Sequence, residues 1–321
     1  MSRIVTLGSA LEDIYLIDRD DFGSIEYQQK SMFKSLEIGS KYDMDKIDFF
    51  IGGGGTNSAV TLARSGHEVI YFGNIGHDPA GEAVLKLLDE EGIDSSYVNF
   101  LPRLKTGTSI ILLDSKTGNR TVLTYRGASS KFQNLSSSDL EYISPDWLYI
   151  TTLRGDMGTI LDFLETAKKL GTKVMFNPGE LELKNSKQLL GLLQDVDILL
   201  LNKQEAALLV GGTLLSEQLE RLKNYVKTVI ITDGPMGGIA TNGEKTYRFG
   251  IYEDVKTVDS TGAGDAFGSG FLAAYAKGKT FKQALIFASA NSTSTIQHRG
   301  AKNGILSGDI DLHPMPIQLI K

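Results

Sequence analysis

From residue 147 onward, short apolar runs alternate with amphipathic segments of helical spacing, and this alternation is the feature that most constrains the fold. Runs that are apolar at successive positions are typical of strands buried on both faces. The apolar runs are 147–150, 174–176, 198–201 and 229–232, and the helical segments are 159–170, 186–193 and 203–210. The pattern predicts an α/β fold in which helices cover both faces of a mostly parallel sheet. Two N-terminal apolar runs, 4–8 and 69–72, are expected to join that sheet.

Two β-rich stretches interrupt the alternation. Residues 12–51 carry strand-like pieces without a clear helix, and residues 104–126 resemble a hairpin around a turn at 115–119. The two stretches are expected to pair as a small sheet that forms a lid over the carboxyl ends of the main strands. Two unrelated surface excursions are the alternative.

Composition excludes several classes of function. The 321 residues are 41% hydrophobic and 22% charged, as in an ordinary globular protein, and the net charge of −6 argues against nucleic-acid binding. The absence of cysteine excludes disulfides, thiol catalysis and cysteine-bound zinc. The four histidines show no metal-binding spacing, and no GxSxG motif is present. With neither an apolar run of about 20 residues nor a signal-peptide pattern, we expect no membrane contact and a cytoplasmic enzyme or binding protein.

The run 259–267, Asp-Ser-Thr-Gly-Ala-Gly-Asp-Ala-Phe, places small residues directly before a buried helix. Unpaired N–H groups and the positive end of the dipole make a helix start suitable for an anion such as phosphate. Asp265 lies inside this turn, where a carboxylate is poorly suited to holding phosphate but well suited to accepting a proton beside one. The run therefore predicts phosphoryl transfer with Asp265 as general base.

A second glycine cluster covers residues 52–57, Gly-Gly-Gly-Gly-Thr-Asn. Four glycines stabilise neither a strand nor a helix, so a tight loop before a helix is expected. Asn57 could reach a polar ligand from the helix start. A strand-to-helix connection with steric requirements alone explains the cluster equally well.

Further polar residues follow predicted strands, and each has an ordinary explanation. Asn202 with Glu205 three positions later fits a plain helix cap. The segment 232–238 could line a nucleotide or simply turn, and Asp13, taken singly, reads as a solvated loop acid. No P-loop is present, because Ala273 stands where that motif requires glycine. No dinucleotide fingerprint is present either, because Phe267 stands where that motif requires its third small residue.

Taken together, these motifs resemble the PfkB, or ribokinase-like, kinase family. The run 259–267 is similar to the family's D-T-T-G-A-G-D-x-F signature, with Ser260 in place of the first threonine. The glycine cluster resembles the G-G-x-x-x-N signature, and 202–205 resembles N-x-x-E. The resemblance implies a three-layer α-β-α ribokinase-like fold with a mostly parallel central sheet and a small β-sheet lid. One kinase domain would span 1–321, with lid segments at about 12–51 and 104–126.

The resemblance also implies a role for each matching residue. Asp265 would deprotonate an acceptor hydroxyl, and the amides of Gly262, Ala263 and Gly264 would form an anion hole for the transferring phosphate. The residues implied on the acceptor side are Asp13, Gly53, Gly54 and Asn57. Those implied on the side of ATP and its Mg²⁺ are Asn202, Glu205, Thr232, Gly234, Gly237 and Ser289.

Related enzymes bind a monovalent cation, usually K⁺, near the anion hole. The residues that align with that site are Asp259, Thr261, Thr295, His298, Gly300 and Gly304. His298 and Gly304 depart from the ribokinase pattern, so K⁺ dependence stays open. Any ligands at these two positions would be backbone carbonyls.

The acceptor implied by the resemblance is a primary hydroxyl of a small sugar. A nucleoside acceptor of the adenosine or cytidine type is the alternative, and a non-catalytic sensor is a third reading that the intact Asp265 disfavours. Leu11 stands where ribokinases usually have an asparagine, which weakens the case for ribose itself. Lid aromatics could cover a base or pack the lid; they are Phe33, Tyr42, Phe49 and Phe50. Exposed lid edges would allow a homodimer through the lid.

Overall fold

The computed structural model describes residues 1–17, 24–28, 31–35, 39–44, 46–113, 120–308 and 310–320, with only the backbone at 24–28, 31–35 and 113. The predicted turn at 115–119 and the side chain of Phe33 lie outside this description. Within the described residues, no helix combines the length and apolar composition needed to cross a bilayer.

Sixteen strands are present in the described part of the chain. They are β1 (Arg3–Leu7), β2 (Leu11–Ile17), β3 (Ser24–Gln28), β4 (Ser31–Ser35), β5 (Lys46–Gly52), β6 (Glu68–Ile75), β7 (Val98–Phe100), β8 (Gly107–Leu113), β9 (Arg120–Tyr125), β10 (Trp147–Ile150), β11 (Lys173–Phe176), β12 (Ile198–Asn202), β13 (Thr228–Thr232), β14 (Gly238–Thr241), β15 (Thr246–Phe249) and β16 (Ile317–Leu319).

Ten α-helices accompany these strands in the same residues. They are α1 (Gly54–Arg64), α2 (Pro79–Glu90), α3 (Asp139–Ile143), α4 (Met157–Leu170), α5 (Glu180–Lys184), α6 (Ser186–Leu192), α7 (Lys203–Val210), α8 (Leu215–Leu222), α9 (Ala263–Ala276) and α10 (Phe281–Thr295).

A ten-stranded sheet forms the centre of the molecule, in the order β16-β15-β14-β13-β12-β11-β10-β1-β6-β7. The strands from β7 to β13 pair in parallel, and β14 to β16 add an antiparallel edge. Parallel strands end at one edge of a sheet, so the loops that follow them converge there. The predicted mostly parallel sheet, including both N-terminal runs, is confirmed.

Helices cover both faces of this sheet and make two separate hydrophobic cores. Helices α4, α6, α7 and α8 contribute to one core, and α1, α2, α9 and α10 to the other. Alternate residues of one strand therefore enter different cores: Val5 and Leu7 pack in the first, and Ile4 in the second. Burial on both faces explains why these strands are apolar at successive positions. This is the predicted three-layer arrangement.

The two predicted β-rich stretches meet in a second, four-stranded sheet of order β5-β2-β8-β9. Strand β2 pairs with β5 antiparallel and with β8 in parallel, which places Asp13 between Phe50 and Ser109. Strands β8 and β9 form the predicted hairpin. Because side chains alternate across a strand, Asp13 and Tyr15 share one face of this sheet and Ile14 lies on the other.

A buried carboxylate fixes the loop that follows the central strand β10. Glu182, fully buried at the start of α5, accepts hydrogen bonds from the amides of Leu153 and Gly155, both at 2.8 Å. It also accepts from the hydroxyl of Thr152 at 2.9 Å and from the amide of Gly179 at 3.0 Å. One side chain therefore sets the backbone path at the carboxyl end of β10.

Replacing Glu182 by alanine is expected to destabilise the protein, because four donors lose their acceptor and the buried amides among them cannot all reach water. We expect a loss of about 2–4 kcal/mol in the free energy of unfolding, measured by urea denaturation. The matched control is Glu180→Ala on the same helix, whose exposed carboxylate forms an ion pair with Lys184 and should contribute little. Equal effects of the two substitutions would contradict this account.

Candidate active site

The glycine cluster forms a direct turn from strand β5 into helix α1. Gly52 ends the strand, Gly53 has a φ of 98°, and the helix begins at Gly54. A side chain on Gly53 would be strained by this φ, and its Cβ would lie 2.4 Å from the carbonyl oxygen of Ser9. The expected tight loop is therefore wrong in detail, since Gly54 and Gly55 belong to the first helical turn, where burial and packing outweigh their low helix propensity.

Asp13 is buried beside this turn rather than solvated. Only 5% of it is exposed, and a Cβ on Gly52 would lie 1.9 Å from its Oδ2. The reading of Asp13 as a loop acid is wrong, because the residue lies on the inner face of β2. Burial raises the pKa of Asp13, while the nearby charge of Lys302 and a hydrogen bond from Ser109 oppose that rise.

Asp265 lies in the first turn of α9, and Asn57 of α1 reaches it. The Nδ2 of Asn57 donates to Oδ2 of Asp265 at 2.8 Å. The other carboxylate oxygen faces Gly54, whose Cβ would lie 3.3 Å from it and 3.2 Å from the hydroxyl of Thr151. Burial raises the pKa of Asp265, and the bond from Asn57 and the charge of Lys302 oppose it. The structure thus brings the two predicted signatures together at one carboxylate.

The start of α9 presents free amides beside Asp265. Gly262 caps the helix with a φ of 78°, a left-handed conformation that favours glycine, and no side chain caps the turn. Among the described residues, the amides of Gly264 and Asp265 have no hydrogen-bond partner, and that of Ala263 makes a long contact of 3.4 Å to Ser260. The amide of Gly262 has no partner among these residues either, so the amides open to an anion include those of Gly262 and Gly264 from the expected set, together with that of Asp265.

Lys302 completes the network and was not anticipated from the sequence. Its Nζ donates to the carbonyl of Ile51 at 2.6 Å, to Oδ1 of Asn57 at 2.6 Å and to the hydroxyl of Thr56 at 3.1 Å. Three acceptors match the three N–H bonds of an ammonium group. Lys302 lies between Gly300 and Gly304, in a segment that aligns with the predicted cation site. No pattern in that segment predicts that its one lysine reaches Asn57.

Lys302 also supplies positive charge between two carboxylates. It is 6% exposed, and burial lowers its pKa, whereas the charges of Asp13 and Asp265 raise it. The ammonium in turn favours the ionised forms of both carboxylates. Lys302 thus ties together β5, α1 and both acids.

A cavity of about 370 Å³ opens on the other side of the α9 turn. All six residues predicted on the nucleotide side line it, together with two residues of the α9 turn. They are Asn202, Glu205, Thr232, Gly234, Gly237 and Ser289, with Ala263 and Gly264. The site therefore has two compartments that meet at the start of α9.

Asn202 and Glu205 form the capping box that their spacing predicts. Asn202 Oδ1 accepts from the amides of Gln204 and Glu205, both at 2.9 Å, and Glu205 Oε2 accepts from the amide of Asn202 at 2.8 Å. The other oxygen, Oε1, has no hydrogen-bond partner among the described residues. Burial and the charge of Asp265 raise the pKa of Glu205, while the bond from Asn202 opposes the rise. Asn202 and Glu205 therefore cap α7 and also line the cavity, where Glu205 contributes a carboxylate.

Two of the residues predicted for a monovalent cation, Thr261 and Gly300, bond to a third, Asp259, which is fully buried. Its Oδ1 accepts from the amide and hydroxyl of Thr261, and its Oδ2 from the hydroxyl of Tyr15 at 2.5 Å and the amide of Gly300 at 3.1 Å. The hydroxyl of Thr295 donates to the carbonyl of Asn291 at 2.8 Å.

His298 and Gly304, the two positions that depart from the ribokinase pattern, lie near Ser294 at the end of α10. Nδ1 of His298 is 3.0 Å from the carbonyl oxygen of Ser294, and a Cβ on Gly304 would lie 2.3 Å from the same atom. No group of three or more histidines and acids in the described ranges is arranged to hold a metal. A cation here would need backbone carbonyls.

The small sheet contacts the α9 turn directly. Tyr15 reaches Asp259, and Arg120 of β9 donates to the hydroxyl of Ser260. Phe50 packs edge-on against Tyr15, with ring centroids 5.3 Å apart. Its ring also covers Gly300, where a Cβ would lie 2.8 Å away. Packing therefore accounts for Phe50.

The other lid aromatics lie differently from Phe50. Phe49 is 61% exposed on the opposite face of the sheet, and Tyr42 is 36% exposed.

Replacing Lys302 by methionine is expected to destabilise the protein. The carbonyl of Ile51 and the amide of Asn57 lose a donor, and two buried acids lose a neutralising charge. Relief of the cost of burying the ammonium offsets part of this, so we expect about 2–3 kcal/mol less stability. Urea denaturation near neutral pH measures it, with Lys86→Met, an exposed residue of α2, as control. Unchanged or higher stability would show that the ammonium does not hold these elements together.

Comparisons with known proteins agree with this geometry. The family model for the pfkB family of carbohydrate kinases matches residues 4–307. A ribokinase of Haemophilus influenzae is 30% identical over 263 residues, which cover 79% of this chain and 83% of the relative. An ATP-dependent 6-phosphofructokinase of Thermoanaerobacterium thermosaccharolyticum is 28% identical over 280 residues, with coverage of 83% and 85%.

The structure of Arabidopsis thaliana ribokinase complexed with ribose and ATP superposes with a TM-score of 0.80 at 25% identity, covering 95% of this chain and 96% of that one. The predicted ribokinase-like fold is thereby confirmed. The chain belongs to the pfkB family of carbohydrate kinases and is a phosphotransferase with an alcohol group as acceptor.

Proposed function

We propose that this protein transfers the γ-phosphate of ATP to a primary hydroxyl of a small sugar, with Asp265 as the general base. The observation that carries the proposal is the position of Asp265. It lies at the junction of the two compartments, with free amides of the α9 turn beside it. An acceptor hydroxyl on the Asp13 side and a phosphate on the cavity side would meet there.

The donor occupies the 370 Å³ cavity. Asn202 and Glu205 would hold Mg²⁺ together with the phosphates, largely through water. The donor set fits, because the unpaired Oε1 of Glu205 is a hard oxygen ligand of the kind that Mg²⁺ prefers. Burial first, and then the charge of Asp265, raises the pKa of Glu205, and a cation beside it would favour the ionised form. When bound, the cation would neutralise charge on the phosphates. A K⁺ requirement, if present, rests on carbonyls near Asp259.

Asp265 accepts the proton of the acceptor hydroxyl as the oxygen attacks phosphorus. The bond from Asn57 fixes the plane of the carboxylate and leaves its other oxygen open toward Gly54. The free amides of the α9 turn stabilise charge on the transferring phosphate. The four-stranded sheet serves as a lid, and its bonds from Tyr15 and Arg120 to the α9 loop support that role because they close the acceptor side against water.

Asp265→Asn is expected to lower kcat by at least ~100-fold while ATP still binds, because only the proton acceptor is lost. ATP affinity is measured by calorimetry and turnover by ADP release. The control is Asp162→Asn, which makes the same chemical change at an exposed residue of α4. Near-normal turnover of Asp265→Asn would remove the assignment of the base.

The wild-type rate should rise with pH as Asp265 loses its proton. Because burial raises the pKa of Asp265, the midpoint should lie above the ordinary aspartate value of about 3.9.

A panel of ribose, fructose, 2-keto-3-deoxygluconate, adenosine and cytidine separates the acceptor classes. A nucleoside acceptor is not favoured by the aromatic residues described, since Phe50 packs on Tyr15 and Phe49 lies on the outer face. Turnover of adenosine or cytidine above the sugars would reverse this order. No turnover of any compound would favour a sensor or an unusual acceptor.

The proposal extends to a homodimer formed through the outer face of the lid sheet. One row across all four strands is apolar, running from Phe49 through Ile14 and Ile110 to Leu123. Phe49, Ile110 and Leu123 are 61%, 38% and 56% exposed. A continuous exposed apolar row of this kind is typical of a surface that another protein covers.

Leu123→Glu should convert such a dimer to monomer, because it places a charge within the covered row. Sedimentation velocity at micromolar concentration measures the change. The control is Leu214→Glu, whose wild-type residue is 58% exposed at the start of α8 and away from the lid. A monomeric wild type would exclude this assembly.

A further inference from the structure

Two arginines border the acceptor compartment, and neither belongs to the motifs of the family resemblance. Arg126 directly follows β9 of the lid sheet, and Arg154 lies in the loop after β10 of the central sheet. Both side chains are half-buried. Neither guanidinium group makes a hydrogen bond or an ion pair with any described residue.

The loop of Arg126 is fixed against the start of β2, the strand that carries Asp13. The hydroxyl of Ser129 accepts from the amide of Ala10 at 3.1 Å and donates to its carbonyl at 2.8 Å. The amide of Ala128 donates to the carbonyl of Lys105 at 2.8 Å. Arg126 therefore leaves a backbone that is anchored next to the acceptor strand.

The loop of Arg154 is equally constrained. Arg154 has a φ of 61°, which is unusual for a residue with a side chain. The buried Glu182 binds the amides on both sides of it, those of Leu153 and Gly155. Three residues earlier, Thr151 lies at the junction near Asp265. Backbone strain held in place by a buried carboxylate is typical of functional positions.

The backbone places both arginines beside the start of β2: a Cβ on Gly107, which pairs with Leu11, would lie 2.7 Å from the carbonyl oxygen of Arg126, and the amide of Thr151, three residues before Arg154, bonds to the carbonyl of Leu7 at 2.9 Å. The charges of the two residues agree with this placement. The pKa of Arg126 is lowered first by burial and then by the charge of Arg154, while the charge of Asp13 opposes both effects. Asp13 and the exposed Glu180 are nearby, but neither carboxylate bonds to either guanidinium, so the two like charges repel and partial burial strengthens that repulsion. An anion placed between them would relieve it.

The position of the pair points to the acceptor rather than to ATP. Neither arginine lines the nucleotide cavity. The acidic neighbour of Arg126 is Asp13, on the inner face of the lid sheet and across Asp265 from that cavity, and the acidic neighbour of Arg154 is the exposed Glu180 of α5. An anion between them would belong to the molecule that presents its hydroxyl to Asp265.

We infer that Arg126 and Arg154 bind an anionic group of the acceptor, either the carboxylate of a sugar acid or the phosphate of a sugar phosphate. The inference rests on the proposed kinase function and specifies its substrate class. Guanidinium groups bind both anions through paired hydrogen bonds, which an ammonium cannot reproduce. A neutral sugar would leave two half-buried charges without a partner, so the site discriminates against it.

The test compares three six-carbon acceptors that each offer a primary hydroxyl. Fructose is neutral, 2-keto-3-deoxygluconate carries a carboxylate, and fructose 6-phosphate carries a phosphate. Wild type should show the highest kcat/KM on one of the two anions, and the identity of that anion distinguishes carboxylate from phosphate. Higher kcat/KM on fructose would overturn the inference and leave the kinase proposal standing.

Arg126→Gln and Arg154→Gln should each lower the ratio of kcat/KM for the preferred anion to that for fructose by about 10–100-fold. The loss should appear mainly in KM for the anion. Arg126→Lys and Arg154→Lys should recover only part of the ratio. Arg248→Gln, which changes an exposed residue of β15, is the control and should keep this ratio. A rise in KM for ATP with an unchanged acceptor ratio would assign the pair to the donor and overturn the inference.

Binding is measured separately from turnover. The two anions should raise the melting temperature of wild type more than fructose does, and the two glutamine variants should lose that difference. If no acceptor is phosphorylated, this result still supports an anion site while the kinase proposal fails. Equal shifts for fructose and both anions would overturn the anion site.

Discussion

The buried ammonium of Lys302 is the interaction on which the rest of the site depends. It joins the end of β5 to the start of α1 through three acceptors, and one of these is the amide that orients Asp265. It also provides the positive charge that keeps two buried acids, Asp13 and Asp265, within one compartment. Without a cation at this point, desolvation and mutual repulsion would favour protonation of both acids, and a protonated Asp265 cannot accept a proton. The side chain of Lys302 therefore both holds β5 and α1 together and favours the ionised form of Asp265.

The glycine turns on either side of this network let the backbone approach closely enough for it to form. At Gly52 and Gly53 a side chain would collide with Asp13 and with the carbonyl of Ser9, so the turn brings α1 directly onto the lid strand. At Gly262 the left-handed conformation starts α9 without a side-chain cap and leaves amides free. The four-stranded sheet contacts this arrangement through Tyr15, whose hydroxyl donates to the same Asp259 that shapes the α9 loop. These turns do not select the charge of the acceptor. In the inferred site that selection comes from Arg126 and Arg154, which lie outside the turns.

Much of the fold could be predicted because its signals are local. Strands such as β10 and β12 are apolar on both faces, and helices such as α4 carry one apolar stripe, so the order of elements and the parallel sheet follow from short windows of sequence. The capping box of Asn202 and Glu205 is likewise local, and it forms as its spacing predicts. Asp13 shows the limit of such windows. A carboxylate after a strand reads as solvated until the partner strands that bury it are known, and those lie about 40 and 95 residues away along the chain.

The sequence by itself determined the three-layer fold, the family and the two glycine-rich motifs, because each depends on periodicity or on a contiguous run of residues. Only the tertiary structure decided which distant residues share the site around Asp265. Lys302 bonds to Asn57 across 245 positions of the chain, and Tyr15 bonds to Asp259 across 244. The proximity of Arg126 to Arg154 likewise depends on two sheets being packed together. Contacts of this kind are set by how whole elements dock, and no short stretch of sequence carries that information.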